Sequence, residues 1–169
     1  MMTLAEANGL DRAAFVTTFG DVFEHSPWVA ERAYSARPFE SRDALHSAMA
    51  TAMYGATRSE QLALLRAHPE LAGRAAIRGE LTAASSSEQA GAGLTQCSQD
   101  EFDRLNHLNA RYNTRFGFPF IVAVKNHDRA GILAEFARRV EHDPALEFNE
   151  ALAQVARIAQ FRLDALIAG

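Results

Sequence analysis

Apolar side chains recur along most of this chain at intervals of three and four residues, which is the period of an amphipathic helix. The clearest run begins at Ser98, where a glutamate three residues later predicts a capping box, and Gly117 ends it. The apolar face of this run consists of Phe102, Leu105, Leu108, Tyr112 and Phe116. The pattern therefore predicts a long helix between Ser98 and Gly117.

Start and stop signals of the same kind predict helices in most of the remaining sequence. The predicted helices begin at Asp11, Ser26, Ser41, Ser59, Asp128 and Pro144. The one from Ser59 is predicted to end at His68, because Pro69 disfavours helical geometry at the residue before it. We expect an all-α protein, a single-domain helical bundle of about seven to nine helices over residues 1–169.

One apolar stretch departs from the helical pattern. Residues 118–124 form a run of seven with Pro119 inside it. A strand here would have no neighbouring strand to pair with, so we interpret the run as an extended buried segment that crosses the core. Its backbone N–H and C=O groups then need partners, and a bound ligand could supply some of them.

Composition and charge narrow the class of protein. The chain has 169 residues, 48% of them apolar, and a net charge of −4, which is typical of a globular protein. We expect no membrane partner, since no apolar run is long enough to span one, and no nucleic-acid partner, since the basic residues are scattered. No signal peptide or peroxisomal ending is recognisable, so the cytoplasm is the expected location.

Polar groups are concentrated on both sides of residue 80. His68 is predicted at a helix end, where a side chain can point into a cleft beside unpaired backbone N–H groups. A cluster follows at Ser85, Ser86, Ser87, Glu88 and Gln89. The serines could simply be the N-cap of a helix that has Glu88 in its first turn. That explanation leaves Gln89 and the glycines after it unexplained, so an acid–base pocket is the competing hypothesis.

Other kinds of site are poorly supported. The six histidines show no metal-ligand spacing, the single Cys97 precludes an internal disulfide, and no serine lies in a nucleophile elbow. We therefore predict no metal site, and Cys97 is a weak candidate nucleophile. Arg162 lies among apolar residues, where it could either extend to the surface or point inward and bind an anionic ligand.

Four motifs occur together in this chain. They are Phe23-Glu24-His25-Ser26-Pro27-Trp28-Val29-Ala30, Ala67-His68-Pro69-Glu70-Leu71-Ala72-Gly73, the stretch from Leu81 to Leu94, and Leu108-Asn109-Ala110-Arg111-Tyr112 with residues 116–121. They resemble the motifs of the OHCU decarboxylases, which act on 2-oxo-4-hydroxy-4-carboxy-5-ureidoimidazoline between urate and allantoin. The resemblance covers nearly the whole length and is specific because the four motifs occur together.

The resemblance implies a fold, an assembly state and a set of site residues. It implies an all-helical homodimer that needs no metal or organic cofactor. His68 is implied as the catalytic acid or base. We expect His68 and Glu88, as the two catalytic residues, to bond the hydroxyl of the carbon that loses CO2. The implied substrate-binding residues are Pro69, Ser85, Ser86, Ser87, Glu88, Gln89, Phe120, Ile121, Val122, Ala123, Val124 and Arg162.

The implied activity is that of a carboxy-lyase, a cofactor-free decarboxylase that converts the ureidoimidazoline to (S)-allantoin and CO2 in purine degradation. Many decarboxylases need an organic cofactor to accept the electrons left on carbon. This substrate carries its own C=N bond beside the departing carboxylate. Two alternatives remain open from the residues: a non-catalytic ureide-binding helical module, and a cofactor-free hydrolase or isomerase on the same scaffold.

Overall fold

The computed structural model describes residues 1–73 and 79–169, and within these ranges the regular secondary structure is helical. An isolated parallel bridge joins Met2 and Ile167. The described helices are α1 (Leu4–Gly9), α2 (Arg12–Phe19), α3 (Pro27–Ala33), α4 (Arg42–Tyr54), α5 (Arg58–Arg66), α6 (Ala83–Gly91), α7 (Gln99–Phe116), α8 (Arg129–Arg139) and α9 (Pro144–Leu166). The predicted all-α class is confirmed.

Most helix starts agree with the sequence signals, but those of α1, α5 and α6 differ. The predicted cap at Ser59 is wrong: Thr57 caps α5, and the Glu60 carboxylate accepts a hydrogen bond from the Thr57 backbone in return. The helix also ends at Arg66, two residues before His68. The six-residue helix α1 was not predicted, although Thr3 and Glu6 form a capping box at its start.

The serine cluster lies inside a helix and does not precede one. Thr82 is the N-cap of α6, and its hydroxyl accepts a hydrogen bond from the Ser85 N–H at 3.1 Å. Ser85, Ser86 and Ser87 therefore occupy the first turn and the start of the second, and Glu88 follows them. The interpretation of the serines as a plain N-cap is wrong.

The chain divides into two compact units. Unit 1 consists of Met1–Ala67 and Val155–Gly169, and unit 2 of His68–Gln154, so α9 contributes residues to both. The assignment of residues 1–169 to a single domain stays a prediction. In unit 1, buried aromatic rings of α2 and buried Leu and Met side chains of α4 belong to the core: Phe15, Phe19, Leu45, Met49 and Met53.

The core of unit 2 is centred on Tyr112 of α7. The rings of Phe118, Phe120 and Phe136 meet it edge-on, with centroids between 5.5 and 5.8 Å away. Aromatic pairs favour this geometry, because the positive edge of one ring faces the negative face of another.

Among the described helices, none has both the length and the apolar character needed to cross a bilayer.

Candidate functional site

His68 lies on a tight turn directly after α5. Its side chain is 8% exposed, although it lies outside regular secondary structure. The turn continues through Ala72, whose φ of +50° is unusual for a residue with a Cβ. At Gly73 an added Cβ would lie 2.7 Å from Cβ of Glu70, so only glycine fits there without a shift. The backbone after His68 is therefore closely constrained.

Helix α6 turns one polar face inward. Ser85 and Gln89, one helical turn apart, are each 5% exposed. Glu88 is half-buried, whereas Ser86 and Ser87 are exposed. The structure thus separates the three serines, and Ser85 is the one on the buried face with Gln89.

The Gln89 side chain joins α6 to the turn after His68. Its Oε1 accepts a hydrogen bond from the Ala72 N–H at 3.0 Å, and its Nε2 donates to the Glu70 carbonyl at 3.3 Å. Both ends of the amide therefore bind the turn. The structure brings the two predicted motifs together through this side chain, and a direct contact between Gln89 and substrate stays a prediction.

Two asparagines of α7 hold the same turn. Asn109 lies in one of the quoted motifs, but neither residue was assigned a role from the sequence. Asn109 Nδ2 donates to the Leu71 carbonyl at 3.1 Å, and Asn113 Nδ2 donates to Glu70 Oε1 at 2.6 Å. Asn109 is buried although it is polar. The sequence feature that indicates a buried Asn109 is its position four residues after Leu105, on the apolar face of the helix.

The segment 120–124 is buried and has no regular secondary structure, as predicted. Two of its peptide groups bind side chains of neighbouring helices. Arg139 Nη1 donates to the Ile121 carbonyl at 2.6 Å, and the Ala123 N–H donates to Gln154 Oε1 at 2.9 Å. Neither Arg139 nor Gln154 is recognisable from the sequence as a partner of this segment.

Arg139 belongs to a buried ionic cluster. It donates from Nε to Glu147 Oε1 at 2.8 Å, and both side chains are 0% exposed. The Tyr112 hydroxyl donates to the same oxygen at 2.7 Å, and His142 Nδ1 lies 2.9 Å from the other. Burial, and then the Glu147 carboxylate, raise the pKa of Tyr112, so its phenol stays a proton donor.

Arg162 lies in unit 1, where it is 9% exposed. Its Nη2 lies 2.8 Å from Glu24 Oε2, a carboxylate that is itself buried, and its Nη1 donates to the Asp21 carbonyl at 3.2 Å. The surface interpretation of Arg162 is therefore wrong. Its contact with substrate stays a prediction.

A cavity of about 370 Å³ adjoins α6 in unit 2. Ala72, Ser86, Gln89 and Cys97 contribute to its wall.

Burial, and then the charge of Glu101, raise the pKa of the Cys97 thiol. A raised pKa leaves the thiol protonated near neutral pH, which agrees with the expectation that Cys97 is a weak candidate nucleophile.

A metal site was not expected. Within residues 1–73 and 79–169, the histidine, cysteine and carboxylate side chains form no group of three or more that could hold an ion.

Comparisons with known proteins agree over nearly the whole chain. The family described as "OHCU decarboxylase" matches residues 8–164. The 2-oxo-4-hydroxy-4-carboxy-5-ureidoimidazoline decarboxylase of Haloferax volcanii is 49% identical over 162 residues, which are 96% of this chain and 94% of that protein. The Mus musculus protein of the same name is 40% identical over 166 residues, which are 98% and 93% of the two chains.

A solved structure has a similar fold. A crystal structure of an (S)-allantoin synthase superposes with a TM-score of 0.80 at 30% sequence identity. The alignment covers 98% of this chain and 54% of that one.

Proposed function

Because the chain belongs to the OHCU decarboxylase family, we propose that it removes CO2 from 2-oxo-4-hydroxy-4-carboxy-5-ureidoimidazoline and forms (S)-allantoin. In this role it is a carboxy-lyase of urate degradation. The observation that carries the proposal in the structure is the buried His68, on a turn that Gln89 joins to α6. A proton-transfer group on a constrained backbone, out of bulk water, suits a reaction that needs orientation and proton control.

The reaction can proceed without an external electron acceptor. When the bond from the ring carbon to the carboxylate breaks, CO2 leaves and the electron pair forms a new C=C bond. The π electrons of the adjacent C=N bond then move to its nitrogen, which takes up a proton. The hydroxyl loses its proton as it becomes the carbonyl of allantoin, and the carbon that carries the ureido group gains one. The sum is one CO2 released and one proton consumed.

We assign the proton transfers to His68 and the binding of the hydroxyl to His68 and Glu88 together. An imidazole can donate or accept a proton near neutral pH, as proton removal from the hydroxyl and proton delivery to the ring carbon require. The half-buried Glu88 carboxylate accepts a hydrogen bond from the hydroxyl and favours its loss of a proton. Delivery of the final proton to one face of the ring carbon gives the S product, provided that the pocket keeps water away from the other face.

The remaining contacts orient the ring and its ureido group. We propose that Pro69, Ser85 to Gln89 and residues 120–124 line the substrate, and that Arg162 binds one of its carbonyl or carboxylate groups. Within the serine group the burial of Ser85 favours it as the closest contact. An arginine suits the last role because its planar guanidinium can form two parallel bonds to one acceptor group.

Formation of optically active product tests the activity. We expect the purified chain, dialysed against a chelator and given no pyridoxal phosphate, thiamine diphosphate or flavin, to convert freshly made substrate to allantoin with the circular dichroism of the S form. Spontaneous decay gives racemic product, so the sign of the signal reports the enzyme alone. Racemic allantoin at the uncatalysed rate would favour the alternative of a ureide-binding module. Activity lost with chelator and restored by a metal would refute the cofactor-free mechanism.

The serines of α6 offer a matched comparison. We expect Ser85→Ala to lower kcat/KM about tenfold, because it removes a hydroxyl from the buried face of the helix. Ser87→Ala changes an exposed side chain in the same helix and should have a much smaller effect. Steady-state kinetics on both variants measures the difference. An unchanged kcat/KM for Ser85→Ala would remove Ser85 from the substrate contacts, and equal losses in the two variants would mean that burial does not rank the serines.

We further propose that the protein acts as a homodimer in the cytoplasm, as the family resemblance implies. Light scattering on the purified chain over a range of concentrations tests the assembly state. A mass of one chain, 18.5 kDa, at all concentrations would refute it.

A further inference from the structure

Side chains from α8 and α9 hold two peptide units of the segment 120–124. The Ile121 carbonyl binds Arg139, and the Ala123 N–H binds Gln154. Val122 belongs to both units, because it supplies the N–H of the first and the C=O of the second. Since the C=O and N–H of a trans peptide point in opposite directions, the Val122 N–H points away from Arg139 and its C=O points away from Gln154.

Val122 therefore has a donor and an acceptor that face away from these two side chains. The residue is 6% exposed, and within residues 1–73 and 79–169 its backbone N–H and C=O form no hydrogen bond with protein groups. Buried peptide groups nearly always have a partner, and a ligand or a water molecule can supply one here. A ureide carries an N–H next to a C=O and can bind both groups at once.

We infer that Gln154 is a positioning residue for the substrate. By accepting the Ala123 N–H, it fixes the orientation of the backbone so that Val122 offers its N–H and C=O to the ureide. Gln154 contacts no reacting atom in this role and acts through the segment. The inference rests on the proposed function, because it takes the ligand to be a ureide.

The Gln154 amide is itself held in place by its own helix. Its Nε2 donates to Glu150 Oε1 at 3.1 Å, one turn earlier in α9. This bond orients the amide, because the nitrogen faces the carboxylate and the oxygen is left to face Ala123. The bond to Glu150 therefore fixes which end of the Gln154 amide faces the Ala123 N–H.

The test replaces Gln154 by a side chain of similar length without an acceptor. We expect Gln154→Met to raise KM for the ureidoimidazoline about three- to tenfold with kcat nearly unchanged, as loss of one binding hydrogen bond predicts. Amide hydrogen exchange at Ala123 should become faster. The matched control is Gln160→Met, since Gln160 makes the same kind of bond to Asp164 one turn later in α9, at 2.9 Å.

A double substitution tests the acceptor itself. Gln154→Glu together with Glu150→Gln keeps the net charge, the bond between the two side chains and an acceptor for the Ala123 N–H. We expect this swap to return KM close to that of the unsubstituted chain, because the introduced carboxylate can accept the Ala123 N–H and the methionine of Gln154→Met cannot.

The outcomes are distinguishable. Equal KM values for Gln154→Met and Gln160→Met, or failure of the swap to restore KM, would overturn the inference and leave the proposed function intact. Failure of the proposed function would show in every protein of the set, because the unsubstituted chain and the Gln160→Met control would then also form no (S)-allantoin.

Discussion

His68→Asn should lower kcat by about 10²–10⁴-fold while the protein stays folded. Asparagine keeps a polar side chain of comparable reach at this buried position, but it cannot exchange a proton near neutral pH. The effect should appear in kcat more than in KM, because the lost interaction belongs to the proton-transfer steps. Single-turnover assays with freshly made substrate, followed by circular dichroism, measure the effect.

The control for this variant is another histidine of unit 2. His107 is exposed on α7, so His107→Asn should leave both activity and thermal unfolding unchanged. A His68→Asn protein that retained activity within about threefold of the unsubstituted chain would remove this histidine from the mechanism. A fall in activity that merely followed a fall in Tm would assign it a structural role.

Glu147→Ala should lower the free energy of unfolding by about 3–5 kcal/mol. The substitution leaves the fully buried guanidinium of Arg139 without its counter-charge and removes the acceptor of the Tyr112 hydroxyl. Breaking a buried pair costs more than the pair contributes, because the remaining charge is still out of water. Urea denaturation monitored by far-ultraviolet circular dichroism gives the value.

A surface pair provides the comparison. Glu141 pairs with Arg111, and both side chains are largely exposed, so Glu141→Ala should cost no more than about 1 kcal/mol. Replacing both buried partners, with Arg139→Met and Glu147→Leu, should recover part of the loss. Similar costs for Glu147→Ala and Glu141→Ala would mean that the buried cluster adds little to stability.

The helices could be predicted because their starts depend on local chemistry. The caps at Asp11, Ser41, Ser98 and Asp128 were identified, since a side chain that accepts a backbone N–H acts within three residues. The error at α5 arose because Ser59 and Thr57 are both plausible caps. Only Thr57 has a glutamate three residues later, which completes the capping box.

The position of the serines within α6 was not predictable from local preference. Serine is disfavoured inside helices, so one of the two interpretations of the cluster at 85–87 was an N-cap that precedes a helix. In the structure the helix begins earlier, at Thr82, and this places Ser85 and Gln89 on one buried face. The need to bind the turn after His68 outweighs the weak local preference, and a single sequence does not display that need.

The partners of the segment 120–124 could not be predicted from the local sequence for a similar reason. Pro119 and the apolar run were enough to predict a buried, non-helical stretch. Arg139 and Gln154 resemble ordinary surface residues of amphipathic helices in the sequence. Their contacts with residues 121 and 123 span 18 and 31 positions, and only the packed fold defines them.

The division of the chain between its two units sets an order for folding during synthesis. All of unit 2 has been made once residue 154 is added, whereas unit 1 also needs residues 155–169. Met2 also depends on residues 155–169, because its backbone bonds at 3.0 and 2.9 Å are to Leu166 and Ala168. Chains growing on the ribosome therefore hold residues 1–67 with their apolar faces incompletely covered until residues 155–169 emerge, and nascent chains are most exposed to aggregation in that interval.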